Sequence, residues 1–399
     1  MSQPSPRIIL FAGKGGVGKT TASAATALAC ARGGQKTIAL SLDIAHSLAD
    51  SVDLPRDLHD RNRGLPVQVT DHLDIQEIDA QEELERHWSE VYKYFAAVFS
   101  TTGLDGIAAQ ELAIIPGMDE VVALLYINQY VRDRTYDVVV LDCAPTGESL
   151  RFLSMPQTIE WYMKKLFRLE RGLLNAVRPL AKRVSPVPLP DDSYFAAIER
   201  LFEGLTGVDR LLSDPGITTV RLVTNPEKMV VKETQRAFMY LSLFNMVVDL
   251  VIVNRVLPET DRPDHFAGAR RSQRRYLQQI DESFRDTPIV LLPWFEDEVV
   301  GLDRLQRVAE LLYAGRDPAG RSGPGNPLAF AEVEGGYQLT VRLPSASREA
   351  LDLHRDGDEL IIRVGSAKRV VSLPRPLLRT RVTKARFEGD NLIVTFEGA

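Results

Sequence analysis

Near its start the chain reads Arg7-Ile8-Ile9-Leu10-Phe11-Ala12, then Gly13-Lys14-Gly15-Gly16-Val17-Gly18-Lys19-Thr20, then an alanine-rich stretch to Arg32. A continuous apolar run of six residues suits a strand buried on both faces. The turn after it is short on side chains, as backbone must be if its N–H groups are to wrap an anion. Thr20 to Arg32 reads as the helix that follows, and Gly33-Gly34 stops it. Parallel neighbours of a doubly buried strand need crossover connections, so this opening commits the chain to an α/β fold.

Later segments agree. Thr37 to Asp43, Tyr136 to Asp142, Thr219 to Thr224, Asp249 to Asn254 and Pro288 to Pro293 are five more short apolar runs, with helical segments between most of them. Strands alternating with helices predict a doubly wound parallel sheet. Between the third and fourth strands, Ile159, Tyr162, Met163, Leu166, Leu169, Leu173, Val177 and Leu180 recur at helical spacing, and Phe195 to Leu212 repeats the pattern. An earlier helical region, Glu82 to Gln110, is rich in aromatics. Beyond Tyr313 the composition turns to glycine and proline, and then the apolar period becomes two, with Tyr337, Leu339, Val341 and Leu343 alternating with polar residues. Asp-Gly and Gly-Asp turns separate those short strands. The expected organisation is a parallel-sheet α/β domain over 1–313 with helical insertions at about 82–130 and 155–215. A linker over 314–327 and an all-β sandwich over 328–399 follow.

The glycine turn fits two motifs. Gly13, Gly15 and Gly18 match a dinucleotide pattern, with Asp43 near the place of a ribose-binding acid, but Lys19-Thr20 completes the far more specific phosphate-binding loop (P-loop). The expected cofactors are therefore ATP and Mg²⁺. Backbone from Gly13 through Gly15, Gly16, Val17 and Gly18 would cradle phosphate. Lys19 would bring a point charge to the β/γ oxygens, and the Thr20 hydroxyl would ligate Mg²⁺. Helix amides at Thr20 and Thr21 face the same anion. Phosphoryl transfer also needs carboxylates, and two strands end in one: Asp142 suits an outer-sphere Mg²⁺ role, and Asp43 suits orientation of the attacking water. Each could equally be a helix cap. Lys14 is not required by an ordinary P-loop; leaving the loop's start, it can reach phosphate across a dimer interface or lie idle on the surface.

Composition narrows the partners. A net charge of −6 argues against nucleic acid, and the basic run Ala269 to Arg275 reads as a solvated helix face. Cys30 and Cys143 are the two cysteines, too few for a disulfide framework or a Cys-x-x-Cys clip. With no signal-like start and no run of about 18 apolar residues, the expected location is the cytoplasm.

Several segments together resemble the ArsA arsenite-pump ATPase family, which includes the guided-entry ATPase that delivers tail-anchored proteins. Gly13 to Thr21 is similar to its deviant P-loop, with Lys14 the extra lysine. Ser41-Leu42-Asp43-Ile44-Ala45-His46-Ser47-Leu48 is similar to the first switch, with Ile44 in place of proline. Asp142 to Leu153 is similar to the second, with Cys143 where Thr is frequent and Glu148 where His is frequent. Pro116 to Glu120 and Asn225-Pro226-Glu227-Lys228 resemble further segments. Val253-Asn254-Arg255 and the loop from Leu292-Pro293 to Gly301-Leu302 resemble the adenine-proximal ones. The C-terminal segment resembles a small heat-shock (α-crystallin) domain. The resemblance implies a homodimer closing around two ATP molecules with Lys14, Lys19 and Asp43 as catalytic residues. Metal ligation falls to Thr20, Asp43 and Asp142, and base contacts to Asn225, Asn254 and Pro293. It also implies an apolar, nucleotide-gated groove for a hydrophobic client, so that membranes are met only through client delivery. The insertion helices could form that groove or simply bury their own stripe. The pump's arsenite-carrying cysteines and the relatives' zinc-binding Cys-x-x-Cys have no counterpart here. Three functions stay in view: an ATP-gated chaperone or targeting factor, the ATPase subunit of an arsenite-type efflux system, and a positioning ATPase of the MinD/ParA type.

Overall fold

The computed structural model describes residues 6–42, 47–55, 62, 64–78, 82, 118–143, 192–260, 265–321, 323 and 325–398. Asp43, Ile44, Ala45 and His46, most of the segment after Asp142, and most of both helical insertions lie outside them.

The first element is β1 (Arg7–Ala12), followed by α1 (Lys19–Arg32), β2 (Thr37–Ser41), α2 (Ser47–Ser51), β3 (Val67–Thr70) and β4 (Leu73–Glu77). Next come α3 (Met118–Asp133), β5 (Val138–Asp142), α4 (Asp192–Leu205), α5 (Val208–Ser213) and β6 (Thr218–Thr224). The sheet domain ends with α6 (Lys228–Leu243), β7 (Val248–Val256), α7 (Ala267–Ser283), β8 (Ile289–Pro293) and α8 (Leu302–Tyr313). Eight strands form one sheet in the order β3-β4-β2-β5-β1-β6-β7-β8. All pairs are parallel except β3 with β4. All six strands expected from apolar runs are present; the β3–β4 hairpin is the addition. Its strands are short and interrupted by Gln68, Asp74 and Gln76, so they carry no continuous apolar signal.

Every residue of β2, β5 and β6 is buried, because two hydrophobic layers sandwich the sheet. One layer joins Ile8, Leu10, Val139 and Leu141 to Val122, Leu124 and Ile127 of α3, and to Leu205, Val208 and Leu212 of α4 and α5. The described part of the second insertion thus buries its apolar stripe in the main core. The stripe is split into two helices at Gly207, whose φ of 88° suits a residue without a Cβ. The other layer packs Ile9, Phe11 and Val140 against α1 and α8.

After α8 the chain forms seven further strands: β9 (Leu328–Val333), β10 (Gly336–Arg342), β11 (Leu351–Asp356), β12 (Glu359–Val364), β13 (Ala367–Ser372), β14 (Thr380–Glu388) and β15 (Asn391–Gly398). They make a four-stranded sheet, β14-β15-β10-β9, and a three-stranded sheet, β11-β12-β13. Leu339, Val341, Ile362, Val364, Val394 and Phe396 fill the space between the two. This sandwich is docked on the sheet domain. Met239 and Leu243 of α6 join its core, at about 2 kcal/mol of apolar burial each. Arg342 pairs with Asp286 at 2.9 Å, and Asn245 Oδ1 accepts the Leu328 N–H at 3.1 Å.

The segment between the domains is strapped down as well. Arg7 Nε donates to Ala319 O at 3.0 Å, and Arg221 Nη2 to Pro318 O at 2.8 Å. Both guanidiniums face Asp249, at 3.1 and 3.5 Å. Burial pushes the Asp249 carboxyl above its usual range, while Thr219 Oγ1 (2.7 Å) and the two arginines supply what water would have given. Tyr313 OH accepts from Arg221 Nη1 at 2.6 Å and also meets Thr26 Oγ1.

Candidate nucleotide site

The loop from Gly13 to Gly18 sits at the carboxyl end of the central strands, where open parallel sheets hold ligands. Two of its glycines are required by what lies behind them. A Cβ on Gly13 would run into Val223 O, and one on Gly18, at φ 97°, into the Asn254 amide. The loop is thus pressed against β6 and β7. Asn254 braces it, donating through Nδ2 to Val17 O at 2.8 Å and accepting the Arg255 N–H at 2.8 Å. No side chain caps the start of α1, and its first turn holds no acid. That end is left to an anion.

Lys19 is buried with its ammonium 3.2 Å from Lys14 O, so it lies back over the loop. Thr20 Oγ1 donates to Asp142 Oδ2 at 2.6 Å and lies 3.3 Å from Ser47 Oγ. Asp142 is buried and stands in register with Phe11 on one side and Ser41 on the other. A hydroxyl and a carboxylate at this spacing beside a phosphate loop match the oxygen-only, few-ligand habit of Mg²⁺, which takes the rest of its shell from phosphate and water. The donor set fits the ion.

Lys14 points elsewhere. Its ammonium pairs with Glu233 of α6 at 3.7 Å, and its side chain is 38% exposed. The two lysines of one loop are thus separated, one folded inward and one outward.

Beside the loop lies a cavity of about 560 Å³ lined by Gly18, Thr21, Asn254, Arg255, Pro293 and Trp294 and by the acids Glu296, Asp297 and Glu298. Arg255 holds a left-handed φ of 56°; the backbone N–H of Trp294 donates to Val256 O, and its half-exposed side chain belongs to the cavity lining. Asn225 closes β6 and is buried, but does not line this cavity. Arg255, Trp294, Glu233 and Glu77 were not singled out from sequence. Arg255 and Trp294 sit inside segments noted only for their neighbours Asn254 and Pro293. Both cysteines are buried. Burial pushes the Cys30 thiol up to about 12 and the Cys143 thiol higher still. Asp43, the expected water-orienting residue, lies outside the described residues.

The basic run on α7 divides as an amphipathic helix does. Arg270 is buried, while Arg274 pairs with Glu259 at 2.9 Å and Arg275 lies over the Tyr276 ring. Among the described residues no helix is long and apolar enough to cross a membrane.

Comparison with known proteins agrees with this geometry. The sequence profile of the anion-transporting ATPase family, ArsA, matches residues 6–314, and that of the HSP20-like domain found in ArsA matches 334–396. A chain of Aquifex aeolicus (strain VF5), named arsenical pump-driving ATPase 1, is 46% identical over 97% of this chain and 99% of its own length. A second, of Chlorobaculum tepidum, named arsenical pump-driving ATPase, is 34% identical over 98% of this chain and 96% of its own. A third, named ATPase get3, from Pyrenophora tritici-repentis, is 30% identical over 78% of this chain and 92% of its own.

Proposed function

Since the chain belongs to the ArsA family of ATPases and carries that family's HSP20-like domain, we propose that it is a homodimeric, Mg²⁺-dependent ATPase that couples nucleotide state to the holding of a hydrophobic client. Loop amides and Lys19 bind the phosphates. Thr20, with Asp142 and Asp43, would hold Mg²⁺, which neutralises charge developing on the transferred phosphoryl group. Asp43 orients the attacking water, and Lys14 crosses to the partner's phosphate as an arginine finger would. The base lies in the cavity under Trp294, between Arg255 and Pro293.

The observation that carries this reading is the separation of the two lysines. Lys19 is folded over its own loop, whereas Lys14 is turned out toward Glu233, available to a second subunit once that exposed pair is exchanged for phosphate. A half-exposed ion pair is worth little, so the exchange is cheap.

The names of two relatives favour a second reading, the ATPase subunit of an arsenite-type efflux system. Arsenite chemistry needs accessible thiolates, and the chain's two cysteines are buried with thiols held protonated. The client reading therefore leads. It is tested by trapping the Asp43→Asn variant with ATP and identifying copurifying material by mass spectrometry. Apolar polypeptide or lipid-like ligand enriched with ATP over ADP is expected; nothing bound in either state would overturn the client role.

A further inference from the structure

The end of β7 breaks the regular pairing of the sheet. Val253 stands opposite Leu291 of β8, and the next pair is Val256 with Pro293. Three steps along β7 thus match two along β8, so β7 carries one residue too many. Such bulges re-aim side chains and gather beside functional sites. Here the extra length falls on Asn254 and Arg255. Arg255 has its φ in the left-handed region, a conformation that persists in a residue with a side chain only where the surroundings enforce it. They do so here: Asn254 Oδ1 accepts the Arg255 N–H, and Val256 O accepts the backbone N–H of Trp294. Asn254 also joins the bulge to the phosphate loop, its Nδ2 donating to Val17 O.

The bulge delivers Arg255 to a cavity whose lining also includes Gly18 and Thr21, so that space is continuous with the phosphate loop. Among the described residues the Arg255 guanidinium has neither a hydrogen bond nor an ion pair, although Glu296 and Glu298 line the same cavity. Asp297, the third acid, pairs with Arg304 at 3.4 Å. The cavity thus offers a flat heterocycle three things: an indole that is 55% exposed, a fork of donors and a set of carboxylate acceptors. Purines differ along one edge. Adenine presents the N7 acceptor beside the N6 amine, whereas guanine presents N7 and O6, both acceptors. A carboxylate answers the amine of adenine. The paired acceptors of guanine are answered by the planar fork of an arginine. Stacking on indole serves either, because every base has a π face.

We infer that the site takes guanine as well as adenine nucleotides, so that the chain hydrolyses GTP beside ATP, with Arg255 the residue that reads guanine and Trp294 the stacking surface common to both. The inference rests on the reading of this cavity as the base site. The reaction is the same for either nucleotide: water attacks the γ-phosphorus, the bond to the β,γ-bridging oxygen breaks, and nucleoside diphosphate, phosphate and a proton are released. Carboxylates alone would favour adenine, and the added fork removes that preference.

The test measures kcat/KM for GTP and ATP, and the Kd of GDP and ADP by calorimetry, in the full chain with Mg²⁺. Expected in the unsubstituted protein is a GTP efficiency within about tenfold of that for ATP; a wider gap in favour of ATP would overturn the inference. Arg255→Ala should shift the GTP/ATP ratio at least about tenfold toward ATP, the size of one lost bidentate base contact. Arg255→Lys keeps the charge without the fork and should shift it nearly as far. An unmoved ratio in Arg255→Ala, or full rescue by Lys, would contradict the assignment of Arg255. Trp294→Ala should weaken GDP and ADP by a similar factor of about tenfold, with most of the affinity restored in Trp294→Phe. Unchanged Kd for both diphosphates in Trp294→Ala would instead mean that the base lies elsewhere, and an unsubstituted chain that hydrolyses neither triphosphate would sink the functional reading itself.

Discussion

At the carboxyl end of the sheet, Lys19 and Asp142 lie buried beside a loop of glycines, an uncapped helix start and a cavity of about 560 Å³. At the amino end, Arg221 and Asp249 are buried as deeply, with Arg7 partly covered beside them, yet the space there is only about 20 Å³. There the charges satisfy one another, Tyr313, Thr219 and the carbonyls of Pro318 and Ala319. Both ends meet the cost of burying charge, one by leaving room for a charged ligand and the other by closing on chain. Buried charge on this fold therefore marks function only where the neighbouring backbone is left open. Where it is closed, it marks an anchor, here the one that ties the sandwich domain's leader to the sheet.

Substitutions at the two ends should separate activity from stability. Asp142→Asn is expected to lower kcat on the order of a thousandfold while leaving the melting midpoint nearly unchanged, the magnitude typical of losing a transition-state electrostatic group. Steady-state assays paired with thermal melts check it, and loss of folding in place of activity would erase the contrast. Asp249→Ala should do the reverse. It strands two guanidiniums and should cost about 3–5 kcal/mol of stability, with hydrolysis per folded molecule retained. Denaturant titration measures that cost, and a variant as stable as the parent would mean the cluster is no anchor. The smallest effect is an expected silence: because both thiols are buried and held protonated, arsenite should leave ATPase turnover unchanged. Stimulation by arsenite would move the account to the efflux reading.

How much of this was legible beforehand follows from how each signal arises. Strands such as Val138 to Asp142 declare themselves because both faces are buried and nearly every residue must be apolar. Gly13 and Gly18 declare themselves because backbone and a side-chain amide press on them. The β3–β4 hairpin did not, since Gln76 and Glu77 are buried polar residues whose partners, Gly64 and Ala49, sit elsewhere in the chain. Arg221 lay unnoticed in the middle of an apolar strand, because its neutralising Asp249 lies on the next strand, 28 residues on. The brace that the Asn254 amide gives the P-loop backbone left no periodic signal either. Periodicity registers what faces a core, but it carries no record of which polar group answers another.

The central claim, that each subunit completes the other's phosphate site through Lys14, meets its most direct test in mixing two inactive chains. Lys14→Ala keeps Asp43, and Asp43→Asn keeps Lys14, so a mixed dimer holds one complete site. Random reassociation of equal amounts should recover about a quarter of the unsubstituted ATPase rate from two nearly silent parents. A mixture as inactive as its parents would contradict it.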